Sequence, residues 1–65
     1  MSFKSEVLVS GKWENNACRY ATEDEAIDAG RELLSRWYVP TDSRAVPSED
    51  EVNYEFKDHR PQRLN

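Results

Sequence analysis

Thr22-Glu23-Asp24-Glu25 opens the one long helical pattern in this chain of 65 residues. Thr-x-x-Glu is a capping box: the threonine hydroxyl accepts from the N–H of Glu25, and the Glu25 carboxylate reaches back to the N–H of Thr22. Beyond it, Ala26, Ile27, Gly30, Leu33, Leu34 and Trp37 recur at i, i+3, i+4 and i+7, which predicts an amphipathic helix from Glu23 to Trp37 or Tyr38. Asp24, Asp28, Arg31, Glu32, Ser35 and Arg36 line the opposite side. Acids in the first turn and Arg36 in the last suit the helix dipole, and Glu32–Arg36 is a favourable i,i+4 pair. Gly30 on the apolar stripe costs about 1 kcal/mol relative to alanine, so close approach of the helix to a sheet is expected there. Pro40 moves Val39 out of the α region and ends the helix.

The remaining segments read as strand and turn. Residues 4–9 alternate, with Val7 and Val9 on one face and Glu6 and Leu8 on the other. Ser10-Gly11 is one turn signal and Glu14-Asn15-Asn16 a second. A strand over 17–21 is expected to pair with 4–9 as a hairpin, with Cys18 and Tyr20 on one face and Arg19 on the other. After the helix come a short extended stretch, 43–46, and a turn at Pro47-Ser48-Glu49-Asp50. A half-buried strand then carries Val52, Tyr54 and Phe56. The expectation is an α+β fold, β-β-α-β-β, with one amphipathic helix packed on one face of a small antiparallel sheet. Residues 1–57 form the single domain, and 58–65 a polar C-terminal tail.

Size limits what such a fold can do. A chain of this length buries only about 60% of its unfolded surface, and small scaffolds usually lean on a disulfide, a metal or a second subunit. Cys18 and His59 are the lone cysteine and histidine, so an intramolecular disulfide is excluded and a zinc site poorly served. Self-association as a homodimer is the natural supplement. Met1-Ser2-Phe3-Lys4 has no apolar run, no segment reaches membrane-spanning length, and a cytoplasmic setting is expected. Two tryptophans, three tyrosines and two phenylalanines, with the helix period, argue against disorder over 4–57.

The net charge of −4 is unevenly placed. Glu23, Asp24, Glu25, Asp28 and Glu32 stand against Arg31; Glu49, Asp50, Glu51, Glu55 and Asp58 stand against Lys57. Acidic balance works against binding phosphate backbones. The two clusters read as a solvated helix face and an acidic turn, or as a surface for a basic partner, including mimicry of nucleic acid.

No constellation points to catalysis. Cys18 with His59 lacks an orienting group and an oxyanion site, and Cys18 reads as a small buried hydrophobe. Glu49-Asp50-Glu51 lacks the glycine of a calcium loop. Gly11 and Gly30 are the only glycines, so there is no phosphate-cradling loop. No cofactor and no metal are expected. The sheet face away from the helix is expected to carry Leu8, Arg19, Asn53, Glu55 and either Arg44 or Ala45, and to be solvated or covered by a partner. Candidate binding residues are Trp13, Arg19, Arg36, Asn53 and Tyr54. Trp13 in a turn-rich segment is a hot-spot candidate or a core residue. The neighbours Arg36-Trp37 and Asn53-Tyr54 are partner anchors, or pin the helix end to the last strand.

Gly11-Lys12-Trp13-x-x-Asn16, Arg19-Tyr20-Ala21-Thr22-x-x-Glu25-Ala26, Leu33-x-x-Arg36-Trp37 and Val52-Asn53-Tyr54 together resemble a group of small uncharacterised proteins of phages, cyanophages and prophage-like regions. The similarity spans most of residues 7–54. The chain departs from the pattern at Ser43, often aromatic, and at Pro47, often acidic, which puts the third strand in doubt. The resemblance implies a phage-type accessory protein and no reaction. Gly11-x-Trp13 followed by Thr22-x-x-Glu25-Ala26 is also similar to the small three-stranded arm-binding domains of phage integrases, which read DNA with a basic sheet face. Here capping alone accounts for the shared Thr-x-x-Glu. The expected function is therefore a non-enzymatic protein-interaction module with an unidentified partner, such as a host protein; DNA binding is the alternative.

Overall fold

A computed structural model describes residues 1–36 and 40–64. The elements are β1 (Ser2–Val9), β2 (Lys12–Asn15), α1 (Glu23–Arg36), β3 (Asp42–Ser48), β4 (Tyr54–Lys57) and β5 (Arg60–Arg63). They form a three-stranded antiparallel sheet, β2-β1-β3, and a two-stranded hairpin, β4-β5. This is the expected α+β architecture, with one helix and antiparallel strands among the described residues. Among the described residues no helix is long and apolar enough to cross a membrane.

The capping box forms at the start of α1, with one difference. The Glu25 N–H donates to the Thr22 hydroxyl at 3.2 Å. The carboxylate does not return to the Thr22 N–H: Oε1 takes the Thr22 hydroxyl at 3.0 Å, and Oε2 takes the N–H of Phe56 at 3.0 Å. One side chain thus caps the helix and anchors β4 to it. The expected continuation of the helix to Trp37 or Tyr38, and its closure at Val39, fall outside the described residues.

Helix and sheet meet through small side chains. Ala26, Ala29 and Gly30 are buried, whereas Ile27, Leu33 and Leu34 are half-buried. A Cβ added to Gly30 would lie 3.1 Å from the Cβ of Ser43 and 3.8 Å from that of Ser5. Close approach is thus the reason for the glycine, and an aromatic residue at position 43 has no room beneath the helix. Buried Ser5 donates its hydroxyl to the Ala26 carbonyl, so the serine enters the interface with its polar atom satisfied. Tyr20, 2% exposed, fills the centre with Cys18, and Phe56 meets its ring edge-on at a centroid distance of 6.3 Å. Burial, then the neighbouring Cys18, pushes the Tyr20 phenol far above its usual range.

The strand boundaries correct several expectations. The partner of β1 in the hairpin is Lys12–Asn15, not 17–21, because Ser10 (φ 51°) and Gly11 (φ 81°) close a two-residue turn that reverses the chain at once. The next turn begins at Asn16, whose side-chain oxygen takes the Cys18 N–H at 3.0 Å. Of 17–21, only Tyr20 pairs, as an isolated bridge to Phe3. Pro47 and Ser48 belong to β3, which runs antiparallel to β1 from Ser2↔Ser48 to Leu8↔Asp42. The last predicted strand starts at Tyr54 because Asn53 is held elsewhere by its side chain. The described part of the expected tail, 58–64, is not loose: Asp58 (φ 55°) and His59 (φ 63°) make a second two-residue turn, and Arg60–Arg63 pairs with β4. Non-glycine residues in that backbone region gave no turn signal in the sequence.

Candidate functional site

The register sorts the β2-β1-β3 sheet into two faces. Ser5, Val7 and Ala45 face α1. Lys4, Glu6 and Leu8 occupy the other face of β1, where Trp13 and Asp42 stand opposite Leu8, Asn15 and Arg44 opposite Glu6, and Val46 opposite Lys4. Leu8 and Arg44 therefore lie on the open face as expected. Arg19, Asn53 and Glu55 do not, since none belongs to this sheet.

Four side chains organise the open face. The Arg44 guanidinium lies 4.0 Å from the centroid of the Trp13 ring, a stack contributing about 0.5–1 kcal/mol at a surface. Glu6, its side chain only 12% exposed, accepts from Nε and Nη2 of Arg44 at 2.8 and 2.7 Å. Lys4 Nζ approaches the other Glu6 oxygen at 3.9 Å. One carboxylate thus sits between two cations, and Arg44 is held over the indole. Such a surface presents aromatic and guanidinium area fixed by an ion pair.

The other candidates are placed differently. Arg19 and Asn53 come together as an internal clasp: Asn53 Oδ1 accepts the Arg19 N–H at 2.7 Å, and its Nδ2 donates to the Ala17 carbonyl at 3.0 Å. The Arg19 carbonyl accepts the N–H groups of Asn53 and Tyr54. Its guanidinium donates to the carbonyls of Asn16 and Cys18 and to Asp50 Oδ2 at 2.8 Å. That contact, with Ser48 adding, holds the Asp50 carboxyl below its usual range. Tyr54 packs against the core. Arg36 is on the exposed helix side, paired with Glu32 at 2.9 Å. Pinning of the helix to the last strands occurs at the helix start, through Glu25 and Phe56, while Trp37 lies outside the described residues.

Arg44, Glu6 and Lys4 were missed as site residues. Their signal was the strand alternation, which becomes usable only once the register is fixed. Cys18 is in the core, and His59 is in an exposed turn. That turn borders an open groove of about 540 Å³ that also includes Asp28, Arg31, Glu32 and Lys57. Among the described residues no three His, Cys, Asp or Glu side chains are arranged to hold a metal. Comparisons with protein-family models, curated proteins and solved structures returned no match.

Proposed function

We propose that this chain is a non-catalytic protein-interaction module, of the phage accessory type its motifs resemble, and that it binds through the open face of β2-β1-β3. The observation carrying this reading is Arg44 stacked on Trp13 and fixed by Glu6. Arginine and tryptophan are the residue types that dominate interface energetics, and rigid ones lose little entropy on binding. The partner is a protein of the host cell with a flat, mixed polar and apolar surface.

Pull-down from host lysate at low salt tests the reading. Wild type retrieves a specific partner, and Trp13→Ala and Arg44→Ala each reduce its recovery at least about tenfold. Equal recovery by all three proteins would move the interface elsewhere. DNA binding is the weaker reading, because the two cations of this face, Lys4 and Arg44, are balanced by the two carboxylates Glu6 and Asp42. It predicts retardation of duplex DNA, and none at about 50 mM salt would remove it.

A further inference from the structure

The edges of this fold are unequal. Main-chain hydrogen bonding alternates along an antiparallel strand, so the register shows which residues point outward. Phe3 of β1 exchanges both of its bonds with Tyr20, at 2.8 Å each. Odd-numbered residues of β1 therefore face the β2 side and even-numbered ones face β3. The bond from the Thr41 N–H to the Leu8 carbonyl agrees. On β3, then, Ser43, Ala45 and Pro47 point to the free side. Pro47 has no N–H, and the Ser43 N–H is taken by the carboxylate of Asp42 at 2.8 Å. On β5 the same alternation turns Pro61 outward, again without a donor. Prolines at outward positions block strand addition.

β2 is open by comparison. Lys12 and Glu14 direct their main chain to β1, leaving Trp13 and Asn15 to direct theirs outward. Neither forms a main-chain bond there with a described residue, and Lys12, Glu14 and Asn15 are exposed.

We propose that this edge receives a second copy of the same strand, with the two β2 strands antiparallel about Trp13. Lys12-Trp13-Glu14 is complementary to itself when turned end for end. The two Trp13 residues stand opposite each other and exchange two N–H···O bonds. Lys12 of each copy meets Glu14 of the other, on the helix side of the sheet. Registers centred on Lys12 or Glu14 would instead oppose like charges, which disfavours them. The twofold axis lies perpendicular to the sheet, so β3-β1-β2 continues into a second β2-β1-β3 with both Trp13–Arg44 stacks on one side. This goes beyond the interaction surface proposed above: it concerns an edge, and it doubles the face without covering it.

Sedimentation equilibrium over the micromolar to millimolar range tests the proposal. Wild type dimerises, and Lys12→Glu and Glu14→Lys each weaken the dimer about tenfold or more, since each replaces two attractive pairs with two repulsive ones. Mixing the two variants restores association. In the mixed dimer the two introduced side chains face each other as an opposite-charge pair, and the unchanged Glu14 of one copy meets the unchanged Lys12 of the other. The double variant Lys12→Glu/Glu14→Lys restores association alone. In wild type, exchange of the Trp13 amide slows as concentration rises, a reading that needs no variant. A wild type that stays monomeric to millimolar concentration overturns the proposal. So do single variants that associate like wild type, a mixture that does not recover, or a Trp13 amide whose exchange ignores concentration.

Discussion

The two hairpins share a turn geometry and are tied to the helix in opposite ways. β1-β2 reverses at Ser10-Gly11 and β4-β5 at Asp58-His59, each through two residues of positive φ. The sheet containing β1-β2 meets α1 through a close contact of small residues, Gly30 against Ser43 and Ser5. β4-β5 is held by Phe56, which meets Tyr20 edge-on and donates its N–H to the Glu25 carboxylate, and by Tyr54, which packs against the core and donates its N–H to the Arg19 carbonyl. The first attachment is broad, and leaves the far face of the sheet and the β2 edge uncovered. The second depends on a few groups, with a proline on its outer edge. The difference separates a part whose far face stays uncovered from a part that closes the core.

The largest effect is expected from Phe56→Ala. It should destabilise the protein by about 2–3 kcal/mol, somewhat less than for a fully buried phenylalanine, in denaturant unfolding. Amide exchange should accelerate first in β4 and β5. Uniform acceleration through β1 and β3 would show that the two attachments are not separable.

The turns should respond in opposite directions. Gly11→Ala meets no neighbour within 4 Å, so its cost of about 1 kcal/mol is conformational alone. His59→Gly relieves a strained histidine and should raise stability by about 0.5 kcal/mol. Thermal midpoints of the two variants decide this, and a loss on His59→Gly would mean that the imidazole holds the hairpin to the helix.

The smallest effect concerns the clasp that joins residues 16–19 to 50–54. Asp50 has a depressed pKa in the folded state, so its pair with Arg19 contributes fully above the ordinary carboxyl value of 3.8 and is lost as the pH falls below it. Asp50→Asn should therefore be slightly less stable than wild type at neutral pH, with the gap closing in acid. A gap that widens in acid would contradict the sign.

The helix was legible because its signals are local: a cap four residues long and a stripe recurring every turn. Gly30 was legible for the same reason, as a costly residue on a face that must pack. β1 showed its alternation plainly. β2 did not, because Trp13 lies between two turn signals and the strand is only four residues long. β5 was hidden by its composition, since Arg-Pro-Gln-Arg has no strand preference and forms only through pairing with β4. At the candidate surface, Trp13 was visible as an aromatic residue outside the helix stripe. Its partner Arg44 depends on a pairing with Glu6 across 38 positions of sequence, and no local pattern encodes that distance. Arg19 and Asn53 suggested a binding surface because nothing in their neighbourhood shows that their polar atoms are satisfied by main chain.

Glu25 links two events that are remote along the chain. One oxygen serves a residue three positions away and the other a residue 31 positions away. The helix start and the docked hairpin therefore share a coupling free energy, and coupling of that kind is reciprocal. Whatever orders the first turn of α1 favours β4 docking by the same amount as docking favours that turn. A perturbation at either end, including a partner that grips the exposed acids of Glu23 and Asp24, is thereby felt at the other without any movement of the β2-β1-β3 sheet.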